Sequence, residues 1–212
     1  MAKIDHHVHT TRHSPDSDIG PSQLIAAARD AGLDGVVITE HDRQWDPDEL
    51  AQLARQAGDL VVLTGVEVSA REGHFLVYGL PDLEGVPVGV ALADLIAEAR
   101  RHGAAVVAAH PFRWDQDFDE IVDAHGDGLD AVELVSNNVT PETRARLEDL
   151  LGRRPMPTTG SSDGHQPDVV GCYFTDFPGP IRTMADFVAA LKRGGGRPRH
   201  RDGSRMACGP AG

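Results

Sequence analysis

At 212 residues, with 40% hydrophobic and 25% charged residues, the chain has the size and composition of one globular domain, which excludes a disordered or fibrous protein. Its formal net charge of −13 repels polyanions, so stable binding to duplex nucleic acid is not expected, whereas a small phosphorylated substrate or short oligonucleotide remains compatible. No signal-peptide core follows Met1 and no stretch approaches the roughly 18 apolar residues of a membrane span; with two distant cysteines, Cys172 and Cys208, that encode neither a disulfide framework nor a thiolate zinc site, a cytoplasmic protein is expected.

The first predicted element is a short strand from Lys3 to His9, followed by a helix from Pro21 to Ala31 that Gly32 stops. Gly35–Thr39 is a continuous apolar run of the kind buried on both faces of a parallel sheet, and it runs into Glu40, His41 and Asp42. A helix from Asp46 to Ala57, with Asp46 as N-cap before Pro47, leads to a strand from Leu60 to Glu67. His74–Gly79 reads as a further strand. The spacing of Leu92, Leu95, Ile96 and Ala99 predicts a helix over Ala91–His102, with Gly103 ahead of the strand Ala104–Ala109. Leu129–Val135 and the helix Pro141–Leu151 form one more unit, and Met184–Arg193 is the last helix, so that residues 1–193 make a single domain. The tail 194–212, rich in Gly and Arg, has little to bury and is expected to be mobile. The alternation of strands and helices predicts an α/β fold.

Nearly every predicted strand ends on His, Asp or Glu. In parallel α/β folds the C-terminal strand tips share one face, so residues distant in sequence meet there. His7 and His9, two apart on a strand, project to one side and reach one metal, while His6 points the other way. Asp163 and His165 repeat that spacing in Gly160–His165, and Glu67 and His110 stand at their own tips. Imidazoles and carboxylates without thiolates suit zinc, manganese or iron(II) better than calcium or magnesium. Two or three such ions would generate a hydroxide near neutral pH and clamp phosphate oxygens, so hydrolysis is the expected reaction class.

The segments Asp5–Thr10, Ser14–Ser17, Ile38–Asp42, Gly65–Glu67, Ala109–Pro111 and Gly160–His165 together resemble the polymerase and histidinol phosphatase (PHP) superfamily of metal-dependent phosphoesterases. The resemblance implies a distorted seven-stranded, TIM-like βα barrel with three metals at the strand C-termini. It implies His7, His9, Glu67 and Asp163 on the first ion, Glu67 bridging to a second ion held also by His110, and Asp16, His41 and His165 on the third. Family members often supply another second-ion ligand from the strand tip after the His-Pro motif, where this chain offers Glu133 or Asn137. His74 matches a histidine placed beside the centre, His6 stands where the family shows an apolar residue, and Glu40 where Asp is common. Glu67, His110 and Asp163 are thus the expected catalytic core.

Arg113, three residues past His110, is placed to grip a phosphate, with Arg12 and Arg43 as further candidates. His13, His102, His125 and His200 are expected to be ordinary solvated or hydrogen-bonded side chains. The expected function is hydrolysis of phosphoesters of nucleotides or short oligonucleotides. The alternatives are a histidinol-phosphate phosphatase and a non-catalytic metal-binding module.

Overall fold

The computed structural model describes residues 1–202. Strand β1 (Ala2–Val8) leads into helix α1 (Pro21–Asp30), strand β2 (Gly35–Ile38), helix α2 (Pro47–Ala57) and strand β3 (Val61–Thr64). Both strand pairs are parallel, with Ile4 opposite Gly35 and Gly35 opposite Val61. Asp46 caps α2 as expected, its side chain accepting from the backbone N–H groups of Asp48 and Glu49.

The expected strand Leu60–Glu67 is instead broken at Gly65, where β3 ends and β4 (Val66–Ala70) departs into a second sheet. A Cβ at position 65 would lie 2.6 Å from Cδ1 of Tyr78 and 2.8 Å from the Val77 carbonyl, so the crossing requires glycine. β5 (Gly73–Tyr78) pairs antiparallel with β4, and helix α3 (Leu92–His102) precedes β6 (Ala105–Ala108), which is antiparallel to β5. Helix α4 (Phe118–His125), β7 (Ala131–Val135), helix α5 (Pro141–Arg153) and β8 (Thr158–Gly160) complete this sheet, with β6, β7 and β8 mutually parallel. β9 (Tyr173–Phe177) returns to the first sheet antiparallel to β1, and helix α6 (Met184–Lys192) follows.

Among the described residues the strands, of which β10 (Arg197–His200) is the last, therefore form two five-stranded mixed sheets, in the orders β10-β9-β1-β2-β3 and β4-β5-β6-β7-β8, in place of a closed ring of seven. The sheets meet near the candidate ligands through the bridges Val8–Gly164 and His41–Glu67. Within the segment expected to be mobile, Arg197–His200 form β10, which pairs antiparallel with β9. Cys208 and the rest of the tail from 203 onwards lie outside the described residues.

Among the described residues three apolar clusters form the interior. One joins β1 and β2 to α1 and α2, and another joins the second sheet to α3, α4 and α5. The third lies between the sheets, where Ile4 and Val37 meet Leu76, Tyr78 and Val107, and α6 seals it with Phe187 and Leu191. This interior packing fixes the strands and hence the positions of their tips. Among the described residues no helix is long and apolar enough to cross a membrane.

Candidate metal centre

The polar tips of both sheets converge as the sequence predicts. His7 lies on β1 and His9 just beyond it, and Asp163 is carried beside them because His9 N–H donates to the Gly164 carbonyl at 3.0 Å. Glu67 is drawn to the tip of β2 because its N–H donates to Glu40 O at 3.1 Å and its carbonyl accepts from Asp42 N–H at 2.9 Å. Asp163 and His110 sit at positive φ, 50° and 28°, and such strain in non-glycine residues concentrates at functional sites.

His7 Nε2 is 3.3 Å from Glu67 Oε2 and 3.2 Å from Asp163 Oδ1, and His9 Nε2 is 3.2 and 3.3 Å from the same two oxygens. These four buried side chains form one group able to hold an ion. His7 Nε2, His9 Nε2 and Glu67 Oε2 are buried without a hydrogen-bond partner among the described residues. Leaving such atoms unmet costs free energy that a cation would recover, so the donor set fits a metal.

The opposite ring nitrogens explain why these faces point inward. His7 Nδ1 meets the buried Glu133 carboxylate at 2.9 Å. His9 Nδ1 lies 3.3 Å from Ser14 Oγ, whose proton is given to Glu40 at 2.6 Å, so His9 must donate from Nδ1. Each imidazole thereby offers Nε2 as a lone pair, as metal-ligating histidines usually do. Glu40 also accepts from Thr10 N–H at 3.1 Å and Trp45 Nε1 at 2.9 Å, which makes it a buried anchor.

Glu67 faces two sides at once. Its Oε2 is 3.0 Å from His41 Nδ1, while its Oε1 is 2.7 Å from His74 Nδ1 and 3.0 Å from His110 Nε2. Glu67, His74 and His110 form a second possible metal group, and His9, His41 and His165 a third. Asp16 joins the third, with its Oδ2 3.2 Å from Nε2 of both His41 and His165.

The extra partner beside Glu67 and His110 is thus His74, and the other two candidates are turned elsewhere. Glu133 accepts from His7, from Ser161 Oγ and, at 2.8 Å, from His110 N–H. Asn137 Nδ2 donates to the Ser162 carbonyl at 2.7 Å. His6 turns away from the centre, its Nδ1 2.7 Å from the Tyr78 hydroxyl, and burial pushes its pKa down to about 4. Arg12 is engaged by Glu49 at 2.9 Å, and Arg43 is exposed. Only Arg113 of the three arginines lines the cavity at the centre, about 330 Å³ in volume, and its Nη1 is 3.8 Å from Asp163 Oδ2. His102 pairs with Glu98 at 2.9 Å, and His13 packs edge-on to Trp45. Sequence reasoning missed the hydrogen-bonding roles of Ser14, Glu40 and Glu133, although Ser14 and Glu40 lie within the motif segments and Glu133 on the strand after the His-Pro motif.

Burial opposes the charged form of His7 and His9, but Asp163, Glu133 and Glu67 outweigh it at His7, holding it well above its ordinary pKa, and Asp163 and Glu67 hold His9 at about 9. Burial likewise opposes ionisation of Glu67 and Asp163, yet the imidazoles, His7 foremost, keep both well below the ordinary carboxylate range. The metal-free centre therefore holds a proton on His9 at pH 7 and favours the charged form of His7, and a ligating imidazole must give its proton up. Zinc uptake is expected to release protons and to tighten as pH rises toward about 9. Calorimetric titrations in buffers of different ionisation enthalpy should show a buffer-dependent heat; a buffer-independent heat would contradict this protonation state.

The profile of the PHP domain matches residues 5–143 and that of the PHP-associated family residues 141–195. An uncharacterized protein, MJ1587, of Methanocaldococcus jannaschii is 29% identical over 119 residues, which are 52% of this chain and 68% of that protein. A two-domain Bacteroides vulgatus protein containing a predicted PHP-like metal-dependent phosphoesterase superposes with a TM-score of 0.70 at 22% identity, over 94% of this chain and 64% of that one. This chain thus spans under two thirds of that protein. An amidohydrolase from Chromobacterium violaceum with bound sulfate superposes with a TM-score of 0.67 at 18% identity, over 94% of this chain and 98% of that one. At these identities the superpositions show a shared fold. By the extent of the profile match, the chain belongs to the PHP-domain family.

Proposed function

We propose that the chain is a metal-dependent hydrolase of phosphoesters, acting on nucleotides or short oligonucleotides. The observation that carries this reading is the convergence of His7 Nε2, His9 Nε2, Glu67 Oε2 and Asp163 Oδ1, the first three buried without a hydrogen-bond partner among the described residues. In this reading His7, His9, Glu67 and Asp163 hold one divalent ion, Glu67, His74 and His110 a second, and Asp16, His41 and His165 a third. Zinc, manganese or iron(II), when bound, supplies Lewis-acid polarisation of the phosphoryl group and activation of a water.

The chain's own groups do the rest. Arg113 brings a guanidinium to the rim beside Asp163, where it can fork onto a phosphate oxygen pair. Glu133 and Ser14 fix the orientation of His7 and His9, so the donors need not reorganise during turnover. The cavity of about 330 Å³ suits the phosphate and the near part of an ester more than a large substrate. The test is a phosphoester panel assayed with zinc, manganese and iron(II), together with elemental analysis of the purified chain. Turnover dependent on metal is expected; no turnover with any metal would overturn the reading.

A further inference from the structure

The loop after β6 is held in an unusual conformation. His110, Phe112 and Trp114 have φ of 28°, 65° and 53°, a region that bulky non-glycine side chains rarely adopt. The loop is braced despite this strain. Phe112 N–H donates to Gln116 Oε1 at 3.1 Å, and Gln116 Nε2 donates to the Glu72 carbonyl at 2.7 Å. The Arg146 guanidinium lies 4.0 Å over the Phe112 ring.

The product of that bracing is an exposed tryptophan at the mouth of the centre. Trp114 is 64% exposed, whereas Trp45 is buried at 6%. Its indole lies 4.9 Å from the His74 ring and 5.6 Å from the His110 ring, and it lines the same cavity as Glu67 and Asp163. The Arg113 guanidinium sits 4.1 Å from the indole centroid. The exposed indole thus presents an aromatic surface at the mouth of the cavity, beside the candidate ligands, where a bound molecule can reach it.

We propose that Trp114, backed by Arg113, is the specificity-determining residue of the site, a stacking platform for a planar aromatic group such as a nucleobase esterified to the bound phosphate. The inference rests on the phosphoester reading of the metal centre and adds to it the residue that selects the base-bearing ester. A phosphate held beside Glu67, His110 and Arg113 places its ester group against the neighbouring indole. Stacking there is tolerant of base identity, because every base offers a π-face, and the guanidinium adds attraction for the electron-rich ring. A purely aliphatic or sugar ester gains none of this.

The experiment measures binding without turnover on the zinc-loaded full chain. The probes are the phosphonate analogues of AMP and ribose 5-phosphate in which a methylene replaces the ester oxygen. The adenosine probe is expected to bind about tenfold tighter than the ribose probe and to quench the solvent-exposed tryptophan emission. Trp114→Ala should collapse that affinity ratio to near one, and Trp114→Phe should keep most of it. Equal affinity for both probes in the wild type, or a ratio unchanged in Trp114→Ala, would overturn the proposal. A preserved ratio effect without turnover of any phosphoester would refute the hydrolase reading while leaving the platform standing.

Discussion

Glu67→Gln is expected to lower metal-dependent phosphoester hydrolysis by about a thousandfold or more, equivalent to some 4 kcal/mol of transition-state stabilisation. This one carboxylate directs Oε2 at His7, His9 and His41 and Oε1 at His74 and His110, with all five contacts between 2.7 and 3.3 Å. An amide keeps the shape but removes the negative charge and replaces one oxygen by a donor that cannot bind a cation. One face of the bridge is therefore lost whichever way the amide turns. Elemental analysis should show at least one ion fewer per chain, with the circular dichroism of the fold retained. Full metal content and wild-type turnover in this variant would show that Glu67 is not a bridging ligand.

Glu133→Ala should act through a different route, destabilising the metal-free protein by about 3–5 kcal/mol, the usual cost of removing one partner of a buried ion pair. Glu133 is fully buried and receives His7 Nδ1, Ser161 Oγ and the His110 N–H, so its loss strands three donors at once. Because it also orients His7, metal affinity should fall about 10–100-fold. Burial raises its pKa, but His7 outweighs this and leaves the folded value below the ordinary 4.5. Its stabilisation is therefore present above pH 4.5 and fades as pH falls through the depressed folded value. Urea unfolding of wild type and variant should accordingly differ at pH 7 and converge in acid; a constant difference would mean that packing, and not the charge, is what Glu133 contributes.

The two substitutions separate what was legible in the sequence from what was not. Glu67 was visible as a carboxylate after an apolar run, and its role as a bridge followed from the family resemblance. Glu133 was visible as a charged residue in a strand, but its partner His7 lies 126 positions away. Composition and local spacing place both near the strand tips without saying which way a side chain turns.

The sequence by itself determined the order of most helices and strands, the cap at Asp46 and the set of ligating residue types at the tips. These depend on local signals, namely apolar periodicity, caps and polar residues that end a strand. The tertiary structure decided what depends on strand direction and on distant partners. β5 runs antiparallel, so His74, near its beginning, arrives at the same face as residues beyond the ends of the parallel strands, and thereby stands beside Glu67 and His110. Gly65 splits one expected strand between two sheets because only glycine fits against Tyr78 there. β9 and β10 join the first sheet through long-range pairing, which gives part of the expected mobile tail an edge to bind. A short-range pattern carries no record of which edge a strand meets or in which direction it runs; interior packing between the two sheets makes that choice.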